Sequence, residues 1–392
     1  MKTLIELYDE RPIENVLGTE VFRPERTVFL CEAEVAQNRV LQEKLRGYIL
    51  SRGLETELVF LESSFYNSNK VLRQLRRVVE EYPDCVLDIT GGTDAALFAA
   101  GRLCGEREIP VFTYSRRRNC FFDIHNAAFA AGLPCEIQHT VDDCFRMAGG
   151  ALRPGRVDNE ILSRYMNSVE PFFRVYLRFR RDWTRIVNYI QRASQVEKGQ
   201  PIPLYVEAGL TVKGERGQPI QANIPALRAL EEIGFLKSVK AEGGRVSFRF
   251  RDEQVRAWLR DVGSVLELYV YKACVDSGLF NDVRTSAVVD WQGDGRQDNV
   301  TNEIDVMAMQ GILPAFLSCK TCDIGTEALN ELAILRDRFG GQAARAAIVS
   351  TQNCRNITRH RAAELGIDVI DLEDLKSGRL GEHIRSMMRV GK

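Results

Sequence analysis

The chain has 392 residues, 45% hydrophobic and 27% charged, which calls for two or three domains and leaves ample apolar surface to bury. A formal net charge of −1 argues neither for nor against a nucleic-acid partner, and no run approaches the roughly 18 apolar residues of a membrane span. The opening MKTLIELYDERPIENV lacks the apolar run of a signal peptide, and the cysteines sit mostly among apolar neighbours (Cys31, Cys85, Cys104, Cys274), so a cytoplasmic protein without membrane contact is expected.

Over residues 1–125 short apolar strands alternate with amphipathic helices. The strands are expected at 3–8, 27–31, 57–61, 85–89 and 110–114, the helices at 12–19, 35–51, 68–81 and 94–104. This pattern predicts a parallel sheet covered on both faces, an α/β Rossmann-like unit over 1–150. Strand 85–89 runs into Thr90-Gly91-Gly92-Thr93-Asp94 and then a helix. Two glycines allow the backbone close to a phosphate and a helix N-terminus offers free N–H groups, although any tight strand-to-helix turn uses the same residues. No G-x-G-x-x-G is present, which disfavours a nicotinamide cofactor. Asp9 and Arg11 follow the first strand, at the edge where ligands of such sheets bind. Residues 116–118, three arginines, suit either an anion clamp or a solvated hairpin tip.

A middle unit is expected over 151–255. From 155 to 200 the pattern is helical, with Tyr165, Val169, Phe172, Phe173, Tyr176, Phe179 and Trp183 at helical spacing, and Pro171 marks a break or a new start. Residues 151–200 hold ten Lys/Arg against five Asp/Glu, a net of +5. Residues 200–255 suggest a winged helix: a helix at 222–234, then strands 235–241 and 245–251 around Gly243-Gly244. Arg245, Ser247, Arg249 and Arg251 share one strand face, which serves phosphate contact or ordinary solvation equally well.

The back unit, 256–392, reads helix, three strands, helix, strand, helix, strand, helix, with strands at 283–291, 303–309, 313–320, 344–350 and 369–372. Asn-Glu-Ile-Asp-Val (302–306) and Phe-Leu-Ser-Cys-Lys-Thr (316–321) form two strands joined through Gln310-Gly311. Alternation puts Glu303 with Asp305, and Ser318 with Lys320, and across a hairpin these faces converge. Carboxylates that hold a divalent metal, beside a lysine that meets developing charge, are the means of hydrolysing a phosphodiester. An edge lysine among surface acids is the plainer alternative. Glu267 lies beside the apolar stripe of helix 263–277 and can reach the same patch. Cys319-x-x-Cys322 has no second pair of ligands to make a zinc site.

This order, with Glu267 on the first helix, Asp305 on the second strand and Lys320 ending the third, resembles the PD-(D/E)xK restriction-endonuclease-like fold. NEIDV and SCKT followed by EALNELAILRDRFGG resemble the CRISPR ancillary nucleases, in which a Rossmann-like CARF sensor precedes the nuclease. The resemblance implies a homodimer activated by cyclic tetra-adenylate, cutting DNA or RNA with Mn or Mg. It implies Asp9, Arg11, Thr90, Gly91, Gly92, Thr93 and Asp94 as ligand loops and Asp305 as central metal ligand, aided by Glu267 and the Cys319 carbonyl. The family has an acid where this chain has Ser318; Glu303, Glu331 and Glu327 are the candidates to replace it, and if none does the metal site is weakened. Two rival readings remain: a non-enzymatic regulator with an inactive nuclease domain, and a Rossmann enzyme acting on a small nucleotide.

Overall fold

A computed structural model describes residues 1–153, 159–196, 200–341 and 343–389. Arg156 and Lys198, both counted in the basic stretch, and the end of the expected back unit, 390–392, lie outside the described residues.

At the front, β1 (Thr3–Leu7), α1 (Leu17–Phe22), β2 (Arg26–Cys31), α2 (Ala33–Ala36), α3 (Arg39–Ser51) and β3 (Glu57–Glu62) come first. After them come α4 (Ser68–Glu81), β4 (Cys85–Asp88), α5 (Asp94–Cys104), β5 (Val111–Ser115) and β6 (Cys120–His125). The strands form one sheet in the order β3-β2-β1-β4-β5-β6, parallel except for β6. Every residue of β1 and β4 is buried, because helices cover both faces. α4 buries Val71, Leu72, Leu75, Val78 and Val79 at helical spacing against Ile5, Val28 and Leu87 on one face. Tyr48 and Ile49 of α3 pack on Phe29 on the other. The strand order reverses between β1 and β4, so the loops after these strands lie side by side.

Two expected helices are broken. Instead of one helix at 12–19 there is a 3-10 turn, Pro12–Asn15, followed by α1. The cause is Asn15, whose side chain accepts from Asp9 N at 2.8 Å and donates to Asp9 O at 2.7 Å, holding the turn against the β1 loop. The helix expected at 35–51 is split into α2 and α3, where the Asn38 side chain caps Leu41 N.

The chain then crosses to the back through α6 (Val141–Met147) and β7 (Ala151–Leu152). Val141, Cys144, Phe145 and Ala148, assigned to the front by sequence, pack with Ala287, Met307 and Phe339 of the back unit. The middle contains α7 (Asn159–Ser163), α8 (Met166–Phe179), α9 (Trp183–Ala193), β8 (Tyr205–Gly209), β9 (Thr211–Lys213) and β10 (Pro219–Gln221). It continues with α10 (Ile224–Glu232), β11 (Leu236–Glu242), β12 (Arg245–Phe250) and α11 (Glu253–Trp258). Pro171 neither breaks nor starts a helix: it lies inside α8, whose buried face of Val169, Phe172, Phe173 and Tyr176 outweighs the lost backbone bond. The expected hairpin turns on Gly243 and Gly244, both with positive φ, and β8 adds a third strand to it.

The back unit comprises α12 (Ser264–Asp276), β13 (Asp282–Asp290), β14 (Thr301–Gln310), β15 (Leu313–Lys320), α13 (Thr326–Phe339) and β16 (Arg345–Ser350). It ends with α14 (Asn356–Glu364), β17 (Asp368–Ile370), α15 (Leu372–Lys376) and α16 (Leu380–Met388). The sheet order is β17-β16-β15-β14-β13-β7, antiparallel from β7 to β15 and parallel from β15 to β17. α12 and α16 pack with Val306, Leu317 and Val349 on one face, and α13 with Met307, Phe316 and Ile348 on the other. Among the described residues no helix is long and apolar enough to cross a membrane, and all ten cysteines are free.

A buried ionic cluster joins front to back. Glu20, in α1, accepts from Tyr48 Oη at 2.6 Å and Arg52 Nε at 3.1 Å and pairs with His139 Nε2 at 3.0 Å; Arg52 also reaches Asp143 of α6 at 3.1 Å. Burial pushes the Glu20 carboxyl up, but the hydrogen bonds from His139 and Tyr48 and the charge of Arg52 outweigh it, and the net shift is downward. Because the folded state favours the ionised form, this stabilisation is complete above the ordinary carboxylate range and is lost as pH falls through the depressed value. Glu20→Ala removes the acceptor shared by these buried donors and should cost about 3 kcal/mol by urea unfolding at neutral pH, with a smaller difference from the wild type in acid.

Candidate functional site

β14 and β15 pair from Gln310↔Leu313 to Val306↔Leu317, and there the ladder stops. Asp305 occupies the opening. Its Oδ2 accepts from Cys319 N at 2.6 Å and Ser318 Oγ at 3.1 Å, with Lys320 Nζ 4.0 Å away. A carboxylate thus takes the place of a backbone partner, and Lys320, one third exposed, caps it from the solvent side.

The same level of the sheet contains a change of face. On β13, Val283 packs with Leu317, whereas Ala287 packs with Phe316; on β14, Val306 and Ile304 divide the same way. Simple alternation would keep each pair together. Ser286 sits at the change with φ of 49°, in the left-handed region. Its Oγ donates to Glu267 Oε2 at 3.3 Å, bringing the first turn of α12 to the opening, and Thr285 Oγ1 holds the Asp305 carbonyl at 3.0 Å.

Glu267 is pushed up to about 8 by burial, then by the charges of Asp305, Asp261 and Glu303. Asp305 is also raised, by burial against the opposing pull of Cys319 N–H, Lys320 and Ser318. Asp305, Lys320 and Glu267 therefore converge as expected from the sequence. Glu303 is exposed, yet close enough for its charge to act on both carboxyls. Glu331 does fold back over the hairpin, but onto Asn302, whose Nδ2 it accepts at 2.8 Å, and no contact with Asp305 results. Glu327 is exposed on the first turn of α13. The Cys319 thiol is buried in the core, and its backbone N–H is what meets the site. Among the described residues no group of three or more His, Cys, Asp or Glu is gathered to hold a metal. Ser286 and Asp261 were missed from sequence, and no local signal marks either.

At the front, Asp9 ties the two loops of the strand-order reversal together. It pairs with Arg11 Nε and NH2 at 2.8 Å and accepts from Gly92 N at 3.0 Å. The glycines have a packing reason: a Cβ at Gly91 would meet Leu7 O at 2.9 Å, and one at Gly92, where φ is +94°, would meet the Leu7 side chain at 2.8 Å. Thr90 accepts from Tyr114 N, Thr93 caps α5, and Asp94 is exposed on its first turn. Arg116 is no free hairpin tip. It binds the buried Glu14, which also pairs with Arg11 at 3.4 Å, while Arg117 and Arg118 are exposed. Arg11, Tyr114 and Arg116 line a cavity of about 750 Å³, whose far wall includes the β14–β15 turn, 310–314.

Residues 252–390 match the sequence model of the Card1-like endonuclease domain. The fold as a whole is similar to protein VC1899 from Vibrio cholerae, with a TM-score of 0.75 at 18% identity over 100% of this chain and 99% of that one. It is also similar to Can2 from Sulfobacillus thermosulfidooxidans in complex with cyclic tetra-adenylate, with a TM-score of 0.70 at 17% identity over 99% of each chain. No match was found among curated proteins. The segment that matches the Card1-like endonuclease domain, which contains Asp305, Glu267 and Lys320, thus follows a Rossmann-like front unit.

Proposed function

We propose that the chain is a metal-dependent nuclease of the CRISPR ancillary kind, cytoplasmic and homodimeric, activated by a cyclic oligoadenylate and cutting single-stranded DNA, RNA or both. The observation that carries this reading is the pair of half-buried carboxyls, Asp305 and Glu267, set against Lys320 where β14 and β15 part. The endonuclease match supports the hydrolytic half. The cyclic tetra-adenylate held by Can2 supports the choice of activator.

Asp305 and Glu303 bring more negative charge than Lys320 offsets, Glu267 adds a further carboxyl that an ion would deprotonate, and all-oxygen donors suit Mg or Mn, which accept carboxylates and retain water. Asp305 and Glu267 would hold the ion, with Glu303 in place of the acid that Ser318 lacks. When bound, it supplies polarisation of a phosphoryl oxygen and an acidified water. The protein's own groups do the rest. Ser318 and the Cys319 N–H fix the orientation of Asp305, and Ser286 fixes Glu267. Lys320 presents its ammonium to the charge that develops on the phosphate oxygens. At the front, Arg11 and Arg116 offer guanidinium groups beside the N-terminus of α5, a setting for a phosphate-bearing ring. The Ser318 departure favours a second reading, a ligand-controlled regulator that binds nucleic acid without cutting it.

Labelled DNA and RNA incubated with and without cyclic tetra-adenylate and Mn separate the two readings, because only the nuclease shortens the strand. Asp305→Asn and Lys320→Ala should each lower cleavage by about 100-fold or more while calorimetry finds ligand affinity unchanged; wild-type rates in both would overturn the nuclease assignment. Among the replacement acids, Glu303→Gln should raise the Mn concentration needed for half-maximal cleavage, whereas Glu331→Gln and Glu327→Gln should leave it unaltered. Arg116→Ala should weaken cyclic tetra-adenylate binding by roughly tenfold, the order expected for a lost charge-assisted contact. It is a cleaner probe than Gly92→Leu, which strains the loop itself.

A further inference from the structure

α8 is fastened to both elements that carry the carboxylate site. Tyr176 Oη donates to Thr351 Oγ1 at 2.7 Å, and Thr351 N donates to the Lys320 carbonyl at 3.0 Å. Phe173 stacks on Tyr269 of α12 with centroids 3.8 Å apart, two residues beyond Glu267. Beyond this anchor the chain turns from α8 into α9 with Arg180 still in helical geometry (φ −55°, ψ −34°). Arg174 and Arg178, four apart on α8, share its exposed face, and Arg181 and Arg185 follow in the turn and on α9. Arg180, four residues after Tyr176, shares the face of the anchor.

These five arginines are poorly compensated. Asp182 is the one acid between 174 and 185, and it lies 3.9 Å from Arg185. Arg174, Arg178 and Arg181 are exposed and, among the described residues, have no ion pair. Arg180 is half-buried, and its Nε is shielded from solvent without a hydrogen-bond partner. The wing on β12 is better compensated, with Arg245 on Glu207 at 2.9 Å and Arg251 on Asp252 at 3.1 Å, and Arg249 alone of the three without an ion pair among the described residues. A row of uncompensated guanidinium groups fits a polyanion, and a nucleic-acid backbone is the polyanion that a phosphodiester-cutting site must receive.

We propose that the α8–α9 elbow is a track that holds the substrate's phosphate backbone, with Arg174, Arg178 and Arg181 on phosphates remote from the scissile one and Arg180 on the side of the Tyr176 anchor. This rests on the nuclease reading. Recognition by phosphates alone makes the track indifferent to base sequence.

The test measures binding of fluorescein-labelled oligothymidylate and oligouridylate to the full chain, with cyclic tetra-adenylate and Mn, in an Asp305→Asn background across a salt series. Cleavage is followed in parallel with native Asp305. Replacing Arg174, Arg178 and Arg181 together by Gln should reduce the slope of log affinity against log salt by about 2, from roughly 0.7 per phosphate contact on a single strand. It should raise KM with kcat retained, and the matching triple Lys variant should restore both slope and KM. A wild-type slope and affinity in the Gln variant, while the native chain still cleaves, overturns the track alone. A native chain that neither binds nor cleaves either strand overturns the nuclease reading and the track with it. Should the triple variant fail to fold, Arg178→Glu at its exposed position decides, an unchanged slope and affinity again overturning the track.

Discussion

A β-ladder that stops pairing leaves N–H groups in need of acceptors, and at the end of the β14–β15 hairpin the Asp305 carboxylate meets that need. Cys319 N–H and Ser318 Oγ both turn to it, which keeps the half-buried acid oriented. Much else follows from this substitution. A half-buried carboxylate requires a counter-charge, and Lys320 provides one at the edge. It also raises the second acid, Glu267, whose own hold on the sheet is a serine in left-handed geometry. The result is a patch whose negative charge exceeds its positive charge, kept in place by groups that have little other purpose there.

The front unit reaches this patch through packed and hydrogen-bonded structure. The loops after β1 and β4 are fastened by Asp9 to one another, and Arg11 and Arg116 share Glu14. They face the β14–β15 turn across the cavity. Beside it the turn is gripped directly: His139 N donates to Gly311 O at 3.0 Å, and Asn281 bridges Gly311 N and His139 O at 2.7 and 2.8 Å. His139 belongs to the cluster around Glu20, so the hairpin tip and the front unit share one buried polar network.

Much of this was legible in the sequence because it depends on periodicity. Buried parallel strands read as short apolar runs, α4 shows its core face at steps of three and four, and the hairpin at 310–311 follows from two strands around a glycine. Asp305, Lys320 and Glu267 were readable for the same reason, since each sits at a definable place on a strand or helix. What was not legible depends on residues distant in the chain. Asn15 breaking a helix by bonding Asp9, Arg116 finding Glu14 and Glu331 ending on Asn302 leave no periodic trace. The change of face at Ser286 is invisible for a further reason: a single left-handed serine has no composition cue, yet it reverses which core the following residues enter.

The hairpin also links two distant points of one strand pair. From Gln310 at the gripped end to Asp305 at the open end is five residues, about 17 Å at ~3.4 Å per residue. A tilt of only about 3° at the turn therefore swings the carboxylate by about 1 Å, a displacement of the size that can change a rate by roughly 100-fold. The grip on Gly311 at one end, and the β13 ladder with Thr285 at the other, together keep such a tilt small. The Asn281 side chain, remote from any reacting atom, is thus one of the groups that hold this geometry.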